Sequence, residues 1–199
     1  MTNVFNAQNQ GIYAQGNPPY TEVTRSGVGW NIQTATAFTP VAAVPTVTTA
    51  LELFNNTQGP GAITMVIDSL FGFQLLSTAA AQTYGLWAQV TTQKAAPANT
   101  ALSVFSHSGR PTYATTAAGR IISAINTTVV ANGWRPWGPV QAWGTAAATP
   151  GNSLVAEVNG RILVPPGTSL CVTVAGSIAT ASSFQVGVSW YELLLLNVP

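Results

Sequence analysis

Phe184-Gln185-Val186-Gly187-Val188-Ser189-Trp190-Tyr191 alternates without interruption. Phe184, Val186, Val188 and Trp190 face one way, and Gln185, Gly187, Ser189 and Tyr191 face the other. A period of two carried by aromatic and β-branched residues predicts a strand with one face in an apolar core. The same period recurs upstream. Met65, Ile67, Ser69, Phe71, Phe73 and Leu75 are read as one face of a long strand, and Tyr84, Leu86, Ala88 and Val90 as one face of another. Turn formers separate the runs: Asn56-Thr57-Gln58-Gly59-Pro60-Gly61, Ser108-Gly109-Arg110-Pro111, Asn132-Gly133 and Thr149-Pro150-Gly151-Asn152. No stretch carries a helical apolar stripe with caps. Residues 78–83 have room for a single turn. The chain is therefore expected to be all-β, an antiparallel sandwich of about eight strands and most simply a jelly roll.

Two turns are specific. Asn159-Gly160 stands between the apolar runs 154–158 and 161–164. Both central residues of a type I′ turn need positive φ, which Asn and Gly tolerate best, so a tight hairpin is expected there. In Pro165-Pro166-Gly167, Pro166 fixes φ near −65° and Gly167 accepts positive φ, which predicts a type II turn. Another strand follows at Leu170-Cys171-Val172-Thr173-Val174.

Residues 1–46 read differently. They are rich in Asn, Gln, Gly, Thr and Pro, and Asn17-Pro18-Pro19, Pro40 and Pro45 favour extended chain without a ladder of its own. The expected organisation is an extended N-terminal arm over 1–46 and a jelly-roll sandwich over 47–199. Trp30, Ile32 and Phe38 are the arm's large apolar residues, so they are its expected docking anchors.

Charge narrows the function. Eleven of the 199 residues are Lys, Arg, Asp or Glu and the net charge is +1; an ordinary soluble domain is about 25% charged. Such a chain has little electrostatic repulsion to keep its copies apart. Much of its surface is expected to meet other protein, in a homo-oligomer or a larger assembly. The positive charges are scattered, whereas nucleic-acid binding needs clustered Lys and Arg. The start, Met1 to Gln10, lacks the basic and apolar regions of a secretory leader. Leu193-Leu194-Leu195-Leu196 is far shorter than the ~20 residues of a membrane helix. The single Cys171 excludes an internal disulfide and is read as a small buried hydrophobe.

Catalytic residue types are scarce. With one His, one Asp and four Glu, a hydrolase triad of Asp68, His107 and some Ser lacks a Gly-x-Ser-x-Gly elbow. His107, in Phe105-Ser106-His107-Ser108-Gly109-Arg110, is expected to be a solvent-facing loop histidine. Glu52, Glu157 and Glu192 each interrupt a strand and are placed on its outer face, with no carboxylate pair indicated. One Cys and one His are too few for a zinc site. No enzyme, cofactor or metal is expected. Asn55-Asn56-Thr57 and Asn126-Thr127-Thr128 match the glycosylation pattern and are read as accidental.

The most distinctive segment is Trp134-Arg135-Pro136-Trp137-Gly138-Pro139 with Trp143 beyond it. Three readings stay open for this loop: packing at the end of the sandwich, an inter-subunit contact, or stacking on a sugar. Trp87 points away from Leu86 and Ala88 and is a further residue for a neighbour to cover. The candidate interface is thus Trp30, Ile32, Phe38, Trp87, Trp134, Arg135, Trp137 and Trp143.

Asn159-Gly160-Arg161-Ile162-Leu163-Val164-Pro165-Pro166-Gly167-Thr168-Ser169-Leu170, followed by Ser189-Trp190-Tyr191-Glu192-Leu193, resembles viral jelly-roll structural proteins. With Gly85-Leu86-Trp87-Ala88-Gln89-Val90 it is similar to tailed-bacteriophage virion proteins of the head-decoration, or cement, type. The resemblance covers roughly residues 47–196, and its motifs are turns and strand ends. It implies a homotrimer seated on the capsid and stabilising it, with the major capsid protein or another virion protein as partner. It also implies a place in the virion after assembly in the host cytoplasm, and supplies no catalytic residue. A capsid-forming jelly roll is the second reading, against which stands an arm with Arg25 balanced by Glu22 rather than a basic one. A receptor- or glycan-binding tip is the third.

Overall fold

Alternation along the chain becomes two antiparallel sheets packed face to face. The computed structural model describes residues 24, 26–35, 37–45, 49–76, 82–92, 102–109, 133–143, 153–177 and 182–194. Nine strands lie in these residues: β1 Gly29–Gln33, β2 Leu51–Phe54, β3 Thr64–Leu76, β4 Gln82–Thr92, β5 Phe105–Ser106, β6 Arg135–Trp143, β7 Ser153–Val164, β8 Thr168–Gly176 and β9 Ser183–Leu193. One sheet has the order β5-β1-β9-β3-β7 and the other β2-β8-β4-β6. Along the chain, each strand is followed by one in the opposite sheet. The expected turns at Asn132 and over 149–152, and the possible helical turn after residue 77, fall largely or wholly outside the described residues.

The inner faces are apolar, as the alternation of β9 predicts. Phe184, Val186, Val188 and Trp190 are fully buried and meet Leu51, Leu53, Leu86, Val172 and Val174 of the facing sheet in one cluster. Each such side chain contributes on the order of 1.5–3 kcal/mol on burial. Tyr84 and Phe184 cross the sandwich edge to face, with ring centroids 4.8 Å apart. The Tyr84 hydroxyl donates to Ser182 Oγ at 2.6 Å, which satisfies a phenol that burial would otherwise penalise.

β3 corrects the expected phase. Its register with β9 shifts between Ile67 and Ser69, leaving Asp68 as an extra residue. A bulge of one residue exchanges the two faces of the strand. Met65 and Ile67 point inward before it, and Leu70, Gly72 and Gln74 after it. Phe71, Phe73 and Leu75 therefore lie on the outer face, opposite to the expectation from strict alternation.

The hairpin expected at Asn159-Gly160 is not formed. Both residues do have positive φ, 50° and 76°. Yet Glu157 pairs with Ser69 and Ile162 with Ile67, so the runs on either side continue along the same partner strand. The left-handed pair makes a wide bulge opposite Asp68 instead of a reversal. Arg161 closes it, its Nε donating to the Val158 carbonyl at 2.9 Å. The type II turn is formed as expected: Gly167 has φ 74° and the Thr168 amide donates to the Pro165 carbonyl at 3.2 Å.

The division at residue 46 is also corrected. Gly29–Gln33 is a strand of the sandwich, paired with β9 from Gly29↔Tyr191 to Gln33↔Gly187. Trp30 and Ile32 are buried in the chain's own core, so they are not free to dock elsewhere. Phe38 is half-buried, and its amide and carbonyl exchange 2.9 Å bonds with those of Phe184. Residues 1–23 of the expected arm lie outside the described residues.

Candidate functional site

Polar and titratable side chains gather on the outer face of the five-stranded sheet, where β1, β5, β9 and the β3 bulge meet. The turn after β5 delivers His107 to this face. It is held by the Ser108 amide donating to Ser106 Oγ at 3.2 Å, a 2.9 Å contact between the two serine hydroxyls and positive φ at Gly109. The His107 amide donates to the Gly29 carbonyl at 2.9 Å, docking the turn on β1.

Gly29 is the seat of the ring. A Cβ there would lie 2.9 Å from His107 Nδ1 and 3.0 Å from Tyr191 Cε1, so only glycine leaves room. Tyr191 packs on the imidazole edge to face, centroids 5.8 Å apart and planes at 87°. His107 Nε2 is 2.9 Å from Ser189 Oγ. The expected solvent-facing loop histidine is thus corrected to a half-buried ring with partners on three strands.

Electrostatics reinforce the geometry. Burial pushes the His107 pKa down, opposed by the Asp68 carboxylate and by a hydrogen bond to the Trp30 backbone. Burial raises the Asp68 pKa, as does the nearby Glu157 carboxylate, while His107 lowers it. Asn31 stands directly across from Ser189 in register and is half-buried on the same face.

Other acidic residues serve the fold. Glu52 is fully buried, not exposed, and accepts a 2.7 Å bond from Ser169 Oγ. Glu192 is buried and accepts from Trp190 Nε1 at 3.3 Å. Asn55 of the glycosylation pattern is buried, with its Nδ2 donating to the carbonyls of Ile63 and Val164, both at 2.8 Å. Asn126 is outside the described residues.

The tryptophan segment is an edge strand, not a loop. β6 tolerates Pro136 and Pro139 because an edge needs amide donors on one side only. Trp134 is buried against Cys171 and the half-buried Trp87, so it packs within the chain. Trp137 is half-buried against the core and carries the Arg161 guanidinium 5.4 Å from its ring centroid. Arg135, between Trp134 and Trp137, is exposed. Trp143 pairs with Gln82 in register; its side chain is outside the described residues. Trp87 lines a shallow groove of about 280 Å³ with Val44, Gly85, Pro136 and Val140.

The His107 cluster was invisible in the sequence because its members come from distant strands. The only local signal was Gly29, a small residue next to Trp30. Among the described residues, no group of three His, Cys, Asp or Glu could hold a metal ion, and no helix is long and apolar enough to cross a membrane. No protein-family model and no curated protein matches the chain.

Proposed function

We propose that this chain is a jelly-roll structural protein of a virus particle, a decoration protein that trimerises on a phage head. The observation that carries this reading is the strand order. β5-β1-β9-β3-β7 faces β2-β8-β4-β6, and successive strands alternate between the sheets. That winding, with β5 as an added edge strand, supports a jelly roll, an architecture used by viral capsid proteins. Fold alone does not assign function, so surface chemistry must agree. It does: Phe73, Leu75, Leu76 and Val155 are exposed large apolar residues on or beside the outer face of the five-stranded sheet. With a net charge of +1, copies of the chain repel each other little. An exposed apolar area of this kind favours burial against protein.

Two measurements test the proposal. Light scattering after size exclusion should give a trimer at micromolar concentration, and a monomer overturns the oligomeric part. Negative-stain images of phage heads with and without the protein should show intact shells in both and added surface density only with it. Shells that fail to form without the chain would instead identify a capsid-forming subunit.

A further inference from the structure

We propose that Ser189 and His107 form a nucleophile and base pair that accepts acyl groups from uncharged carboxylic esters. The inference goes beyond the structural role, and its failure leaves that role intact. Serine is a weak nucleophile unless a base within hydrogen-bond reach takes its proton, and that base must itself be oriented by a third group. The nucleophile and the base stand within reach, and the base is packed against its neighbours. Ser189 Oγ is 2.9 Å from His107 Nε2. With the ring protonated at Nδ1, Nε2 accepts from the serine hydroxyl across this contact. The imidazole packs against the Gly29 seat and edge to face on Tyr191, which restrict its movement.

The surroundings define the chemistry. The Asp68 charge favours an imidazolium at His107. Asn31 lies across the strand pair from Ser189 and shares its face, a polar neighbour of the proposed nucleophile. Asp68 and Glu157 both act on this face, so anionic phosphates and carboxylates are repelled. Phe71 stands over Gly187, two residues before Ser189, and the exposed Phe105 lies opposite Asn31, giving an apolar rim. A neutral ester with an apolar portion fits.

In the first step Ser189 Oγ bonds to the ester carbonyl carbon while its proton passes to His107 Nε2. The bond from carbon to the alcohol oxygen then breaks, and the imidazolium proton leaves with the alcohol. Water returns the enzyme to its start: its proton goes to Nε2, its oxygen bonds to the acyl carbon, and Ser189 regains a proton as the acid departs.

The full chain is incubated with a neutral alkyl fluorophosphonate, and the adduct is mapped by peptide mass spectrometry. The expected result is a label on Ser189, absent in Ser189→Ala and formed at least about 100-fold more slowly in His107→Gln, as for loss of a general base. The wild-type labelling rate should also fall on the acid side through one ionisation below 6.5, the ordinary histidine value. Labelling of the wild type no faster than of Ser189→Ala, or at another residue, overturns the proposal. Should His107→Gln lose its fold by circular dichroism, a wild-type rate that stays flat on the acid side overturns it equally.

Discussion

The ring of Phe71 on β3 covers Gly187 on the neighbouring β9. The two are in register, and a Cβ added to Gly187 would collide with Phe71 Cζ and Cε2 and lie 2.6 Å from the Ile32 carbonyl oxygen. The glycine is therefore a requirement of three strands at once, since Ile32 is in β1. An aromatic ring over a strand glycine restores the burial that the missing side chain forfeits.

Gly187→Ala should destabilise the protein by about 1–3 kcal/mol or more, the range for overpacking a filled site. Phe71→Ala in the same background should recover only part of that loss, because the Ile32 carbonyl remains. Urea titration of the two single variants and the double variant measures the coupling. Additive losses would mean that the ring and the glycine do not depend on each other.

Removing residues 1–46 should unfold the sandwich rather than release a dispensable arm. The deletion takes away β1 and with it Trp30 and Ile32, both buried in the core. Trp30→Ala alone should cost about 3–5 kcal/mol, a large share of the ~5–15 kcal/mol that holds a typical domain. Near-ultraviolet circular dichroism of the truncated chain decides the matter. A native spectrum would sink this account of β1.

Stability should respond to pH in two opposed ways. His107 has a lowered pKa in the fold, so below 6.5 the unfolded chain takes up its proton more readily. The contribution of the neutral ring is complete above 6.5 and is lost as pH falls through the folded value. Asp68 has a raised pKa, so its penalty is complete above the folded value and vanishes as pH falls below 3.8. Asp68→Asn should thus raise the melting temperature at pH 7 and do so less on acidification. His107→Gln should flatten the loss just below 6.5. Calorimetry across this range checks both signs.

Gly160→Ala should cost about 1–2 kcal/mol, the penalty for forcing an L side chain into the left-handed region. Its φ is 76°, and the new Cβ would also stand 3.3 Å from Val66 Cγ1. Asn159→Gly, at φ 50°, should be nearly neutral. Equal losses at both positions would show that the bulge does not depend on left-handed backbone.

The sequence made the two-sheet β fold readable where strands run true. β9 keeps its period from Phe184 to Trp190 because no bulge interrupts it. β3 misled because Asp68 inserts one residue and reverses the pattern beyond. Asn159-Gly160 announced positive φ correctly, but a reversal and a wide bulge need the same backbone, and only β3 alongside both runs distinguishes them. β1 was hidden by its five-residue length among prolines, and β6 by two prolines that an edge position tolerates. The His107 seat had no local spacing to betray it, since Gly29, His107 and Ser189 meet only once three strands pair.

The placement of the strands has a consequence for how the chain reaches this state. β8 and β9, made after the other seven, occupy interior positions in their sheets, and β9 joins β1 to β3. Neither sheet can close on a ribosome-bound chain that stops short of them. Trp30 gains Trp190, its partner in register, only when β9 has been made. Folding is therefore dominated by contacts far apart along the chain and is expected to be slow. Until β9 arrives, β1 and β3 expose unpaired edges and the apolar face between them. Assembly partners that recognise the finished surface meet it only after synthesis has passed Leu193, which separates folding in time from any encounter with other subunits.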